Sequence, residues 1–191
     1  MVGFGTKQAW LAVRSSDPAQ VRDALGLSNL GPLSWRAGID QVYVTDDRIA
    51  LTPPLPGADG AQWTLVVGRW LFAGEPTWPS VDIAELSARL DTEVQYYGSH
   101  RTVDLHQWRR ARGGDLVRAF GYLGETGEVI EWHGDPDAAE LAAHLPSTVD
   151  DETTILVDER DVRSVAAAWS LDPMELTGRP APGPLLAAAA P

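Results

Sequence analysis

Between residues 93 and 132 four strand-like segments follow one another with almost no chain between them: EVQYYG, RTVDLHQWRRA, DLVRAFGYLG and GEVIEW. Gly113-Gly114 joins the second to the third, and Glu125 to Gly127 joins the last pair. Glycines adopt positive φ at little steric cost, and two in succession between apolar runs specify a tight hairpin. Strands joined by turns this short can only pair antiparallel, because a parallel connection needs a dozen or more residues. The segment therefore predicts an antiparallel meander, and the rest of the fold must be built around it.

The flanking chain supplies helices and further strands. Residues 9–14 read as a strand, and Asp17-Pro18 then pairs a cap residue with proline at the first helical position, opening a helix that stops at Gly26. GIDQVYV, within residues 38–44, reads as a strand by its β-branched content, followed by a turn at Asp46-Asp47 and a strand over 48–52. Pro53, Pro54 and Pro56 interrupt regular structure. WTLVVG, residues 63–68, is a continuous apolar run that needs cover on both faces. A loop rich in Gly, Pro and Trp over 74–80 precedes a helix carrying Ile83, Leu86 and Leu90 on one side. After the meander, Asp135-Pro136 repeats the cap-and-proline signature. Asp158 with Asp161 forms a capping-box pattern before Val162, Val165, Ala166 and Trp169, and Asp172-Pro173 opens one last turn. The pattern predicts an α+β fold, a mainly antiparallel sheet with a central meander covered by three to four short helices. It forms one globular domain over residues 1–177, with a flexible C-terminal tail over 178–191 that lacks a periodic core pattern.

Charge and composition exclude several classes of function. With 27 acidic against 15 basic residues, the net charge of -12 repels nucleic acid and anionic membrane at long range. The basic cluster Arg109, Arg110 and Arg112 lacks interleaved stacking aromatics at regular spacing and reads as a solvated hairpin end. Cysteine is absent, which removes disulfides, thiolate nucleophiles and cysteine metal sites. No glycine-rich phosphate loop, HExxH or GxSxG occurs, and no cofactor is implied. The lack of a leader or of a long apolar stretch points to a cytoplasmic protein.

The chemistry-bearing residues worth weighing are His100, Asp104 and His106. In an unbroken strand these even-numbered positions share one face with Trp108, and Asp104 lies about 6.6 Å along the backbone from His106, with His100 about 20 Å away. Asp104 orienting His106 would form a catalytic acid/base pair. A metal reading would add Glu125 or Glu128 as a third ligand. The structural alternative pairs Asp104 with Arg118 across the hairpin and packs His106 against Trp108. Trp108, Arg118, Phe120, Tyr122 and His100 are the candidate ligand- or partner-binding residues. With Tyr96 and Tyr97, the aromatics would form a surface across adjacent strands.

The stretch EVQYYGSHRTVDLHQWRRARGGDLVRAFGYLGETGEV at 93–129, together with WSLDP at 169–173, resembles a group of hypothetical proteins from high-GC Gram-positive bacteria. The resemblance implies an intracellular bacterial protein and attaches no activity to it. Acidity, abundant aromatics and the absence of cofactor motifs favour a binding or regulatory protein, such as an immunity-type inhibitor of a basic protein partner. The alternatives are a small enzyme or small-molecule binder using the Asp104–His106 pair, and a structural or accessory subunit.

Overall fold

The computed structural model describes residues 1–72, 78–150 and 153–191. The loop expected over 74–80 lies largely outside the described residues. The meander is present as four antiparallel strands: Val94–His100 (β6), Leu105–Arg112 (β7), Asp115–Leu123 (β8) and Glu128–His133 (β9). Gly113 and Gly114 turn β7 into β8 with φ of 58° and 92°, the positive values that the hairpin requires.

Ahead of the meander come Ala9–Val13 (β1), Pro18–Ala24 (α1), Ser28–Leu33 (β2), Trp35–Val44 (α2), Arg48–Leu51 (β3), Leu55–Pro56 (β4), Gln62–Val67 (β5) and Ile83–Leu90 (α3). Ala138–Ala142 (α4), Glu159–Trp169 (α5) and Leu185–Ala189 (β10) follow it. The strands form one antiparallel sheet in the order β2-β10-β3-β5-β1-β6-β7-β8-β9, with β4 continuing alongside β5 where Pro53 and Pro54 interrupt β3. At that break the buried Thr52 bridges the gap, its Oγ1 accepting the Leu65 N–H at 2.9 Å.

Helices cover both faces of this α+β sheet. On one face α2, α4 and α5 pack over Trp10, Trp63, Tyr97, Trp108 and Phe120. On the other, Val21 of α1 and Ile83 and Leu86 of α3 pack over Leu11, Val66 and Tyr96. Strand β5, buried along its apolar run, needed this double cover. The expected helix starts hold at Asp17, whose Oδ1 accepts the Ala19 and Gln20 N–H groups, and at Asp158 with Asp161. The cap of α4 is Asp137, completed by Glu140, rather than Asp135.

Two expectations are corrected. The segment read as a strand at 38–44 belongs to α2: Trp35, Gly38, Ile39 and Val42 are buried at helical spacing, and Val44 is exposed. Burial at a period of 3.6 outweighed β-branched propensity. Gly38 sits where any Cβ would stand 2.6 Å from Leu185 Cδ1, so its bareness lets the helix lie close on the sheet. The flexible tail expected from residue 178 is the second correction. Leu185–Ala189 form an internal strand between β2 and β3, and Trp35 Nε1 donates to Gly183 O at 2.8 Å just ahead of it. An alanine-rich strand carries weak β-propensity, which hid it.

Candidate functional site

The first residues of β1, the last of β6 and the first of β7 end at the same side of the sheet, where α2 finishes and α5 begins. There the chain does not run on as one strand. It turns through 101–104, so that Ser99 pairs with His106 and His100 with Leu105. The separation of about 20 Å expected between the two histidines is thereby corrected, because the hairpin brings His100 beside the start of β7.

Asp104 occupies the turn in left-handed conformation, φ 48°. Its Oδ1 lies 3.0 Å from His106 Nε2, and Gly124 N–H donates to its carbonyl at 2.9 Å. With no side chain at Gly124 the Asp104 carboxylate lies over it, and a Cβ there would displace that carboxylate from its place beside His106. The ring of His106 is buried and its Nδ1 has no hydrogen-bond partner among the described residues. Consequently, in the neutral ring Nε2–H donates to Asp104, and the other nitrogen is buried with almost no accessible surface. A proton relay needs one ring nitrogen on the orienting acid and the other within reach of substrate. This arrangement holds the turn in place and leaves no ring nitrogen for a substrate.

The other sequence candidates go to separate places. Trp108 and Phe120 are fully buried with rings 4.5 Å apart, and Tyr122 donates from its hydroxyl to Ile155 O at 3.2 Å. Tyr96 points to the opposite face of the sheet from Tyr97. The expected aromatic surface is therefore corrected to core on two faces. Gly121 marks a close approach, where an added Cβ would stand 3.0 Å from Ile130 Cγ1, beside a register shift in the β8–β9 pairing.

Arg118 is buried and pairs with Glu140 at 2.7 Å, not with Asp104. Glu140 also accepts from Trp108 Nε1 at 2.6 Å, which fastens α4 to the meander. Of the arginines read as a solvated end, Arg109 and Arg110 are largely buried, while Arg112 at the hairpin is exposed as expected. Arg109 pairs with Glu131 at 2.6 Å, while Arg110 and Arg112 share the buried Glu93. Metal binding gains no support: among the described residues no three His, Asp or Glu side chains converge to hold an ion.

His100 stands between two openings and lines both. On one side of it a cleft of about 230 Å³ contains Ser99, Asp104, His106 and Glu159. Glu159 ties this wall together, because one carboxylate oxygen accepts Ser99 Oγ at 2.8 Å and the Lys7 N–H at 2.6 Å. Lys7 is thereby held in left-handed backbone, φ 53°. Strain at a non-glycine residue persists only where surrounding contacts over-determine it. At the start of α5 the Asp158 carboxyl is opposed by burial, but the Arg160 N–H and the Arg160 charge hold its pKa below the usual carboxylate value.

On the other side of His100 lies a larger cleft of about 800 Å³. Its wall draws on Lys7 and Gln8 before β1, Tyr43 of α2, Trp70 and Phe72 beyond β5, and Arg101 and Thr102 of the turn. The His100 ring stands edge-on to Phe72 at 5.6 Å. Its Nδ1 and the Ser80 hydroxyl oxygen are buried without a hydrogen-bond partner among the described residues, and both residues line this cleft. Burial pushes the Tyr43 phenol above its ordinary pKa despite its hydrogen bond to Thr6 O. No protein family, curated protein or solved structure matches this chain. Its function has to be argued from the cleft.

Sequence reasoning missed Lys7, Ser80, Arg101 and Glu159. None belongs to a motif, and they lie in distant stretches of chain brought together by the crossovers of the sheet. The nearest sequence signal was the Asp158 cap, which fixes the turn of α5 on which Glu159 sits.

Proposed function

We propose that this chain is a binding protein for a small molecule, held in the 800 Å³ cleft between the 101–104 turn, α2 and the residues after β5. The observation that carries this reading is the cleft wall itself, which sets the apolar Trp70 and Phe72 beside Lys7, Arg101, Ser80 and His100, the last two each holding a buried polar atom that has no partner among the described residues. Buried polar groups without partners are uncommon in native proteins, because each forfeits a hydrogen bond. A ligand carrying a donor and an acceptor would satisfy both, given a side-chain rotation that turns these atoms, which carry almost no accessible surface, toward the cleft. The partly buried Trp70 and Phe72 offer apolar surface for its body, and pockets of this size that combine apolar walls with a few convergent polar groups are the usual form of a ligand site.

Catalysis by His106 loses support from its geometry, and the inhibitor reading loses its aromatic surface to the core. The absence of any helix long and apolar enough to cross a membrane, among the described residues, fits a ligand taken from water. A fragment-library thermal-shift screen on the wild type and on Thr102→Trp tests the proposal. Thr102 is exposed on the cleft rim, so a tryptophan there fills the opening without entering the core. Fragments are expected to raise the melting temperature of the wild type and not of the variant. Equal stabilisation of both, or none of either, would contradict a ligand site here.

A further inference from the structure

Thirteen of the fifteen basic side chains have a carboxylate oxygen within 4.0 Å. Among the described residues the two without one are Lys7 and Arg101, and both line the 800 Å³ cleft. The chain carries 27 acidic residues, so a cation left unpaired among the described residues is the exception. A third cation on the wall, Arg69, has the exposed Asp46 as its partner at 3.2 Å. The cleft thus combines three cationic side chains with one carboxylate inside a protein of net charge -12.

Resting on the reading of this cleft as a ligand site, we infer that its ligand is a small organic anion, a carboxylate or phosphate joined to a flat apolar body. Lys7 and Arg101 supply the charge that meets the oxyanion, and charge-assisted hydrogen bonds to such groups are the strong ones. Concave walls focus the field of fixed charges, so two unpaired cations count for more here than on an open surface. The apolar body lies against Trp70 and Phe72, with Ser80 and His100 beside it on the same wall. The acidic surroundings limit the ligand's size, since a polyanion extending beyond the cleft would meet the net negative charge of the rest of the chain.

The backbone of Lys7 strengthens the inference. Its left-handed φ of 53° is fixed by the bond from its N–H to Glu159, so the residue is anchored at its main chain while its side chain makes no ion pair among the described residues. Asparagine suits left-handed backbone better than lysine does, which makes Lys7→Asn a change that removes the charge without adding strain. Arg101 is exposed in the turn and makes no ion pair among the described residues, so Arg101→Gln leaves the fold alone too.

The test is calorimetric titration with naphthoate, naphthyl phosphate and the neutral naphthamide, on the wild type, on each single variant and on the double variant. Naphthoate or naphthyl phosphate is expected to bind the wild type about tenfold or more tightly than naphthamide, and the tighter of the two identifies the oxyanion. The preference should shrink in each single variant, vanish in the double variant and weaken with added salt. If naphthamide binds the wild type as tightly as the anions do, the cleft reading stands and the anion inference falls. Retention of the preference in the double variant also overturns it. Failure of all three probes removes the anion inference, and the fragment screen with Thr102→Trp then decides the cleft reading by itself.

Discussion

Asp104 Oδ1 lies 3.0 Å from His106 Nε2, with the carboxylate side chain 61% exposed and the imidazole 7% exposed. The exposed partner is the acid and the buried one is the base, the reverse of a catalytic pair in which a sheltered carboxylate aims an accessible ring. The bond fixes the 101–104 turn, and with it the position of Arg101 on the cleft wall.

Asp104→Ala removes the acceptor and keeps an unfavourable left-handed backbone, so it should cost about 1–2 kcal/mol. Asp104→Asn keeps an acceptor oxygen and suits that backbone, and should unfold within about 0.5 kcal/mol of the wild type. Urea midpoints for the two variants distinguish these outcomes. Nitrogen NMR of the neutral His106 ring should show the proton on Nε2.

Glu140 is fully buried and accepts from Trp108, Arg118 and the Asp137 N–H. Glu140→Ala strands the Arg118 guanidinium beside Trp132, and breaking a buried pair from one side costs about 3–5 kcal/mol. The double change to Ala at 140 and Met at 118 should recover part of that loss, because it removes the uncompensated charge. Denaturant unfolding of both proteins measures the difference.

Burial opposes ionisation of Glu93, but its bonds from Arg110, Gln95 and Arg112 prevail and lower its pKa below the ordinary 4.5. A carboxylate with a depressed folded-state pKa contributes stability that is complete above its unfolded pKa and is lost as pH falls through the folded value. The wild type should therefore lose stability as pH drops below about 4.5. Glu93→Gln should be less stable at neutral pH and should decline less over the acid range. Urea midpoints measured from neutral to acid pH give both slopes.

The meander was legible because Gly113-Gly114 leaves its two strands no other way to pair. Helix starts at Asp17 and Asp158 were legible because capping is a local hydrogen bond. Helix α2 was misread, since the β-branched Ile39, Val42 and Val44 imitate a strand until burial shows which of them face inward. Strand β10 was hidden because Ala187 and Ala188 carry little β signal, and the space they leave shows only when neighbouring elements are in place. At the site, His100, Asp104 and His106 were visible as residue types. Their relation turned on one local fact, a reversal through 101–104 that no glycine or proline announces. The convergence of Lys7 with Arg101 and Ser80 is tertiary, and no spacing in the sequence encodes it.

The most direct test of the ligand cleft is a map of backbone amide shifts on titration with naphthoate. Shifts should concentrate at Lys7, Gln8, His100, Arg101 and Thr102 and be lost in the Lys7→Asn, Arg101→Gln protein. Shifts centred instead on the separate 620 Å³ opening beside Leu55, Leu171 and Leu176, or no localised shifts at all, would contradict the account.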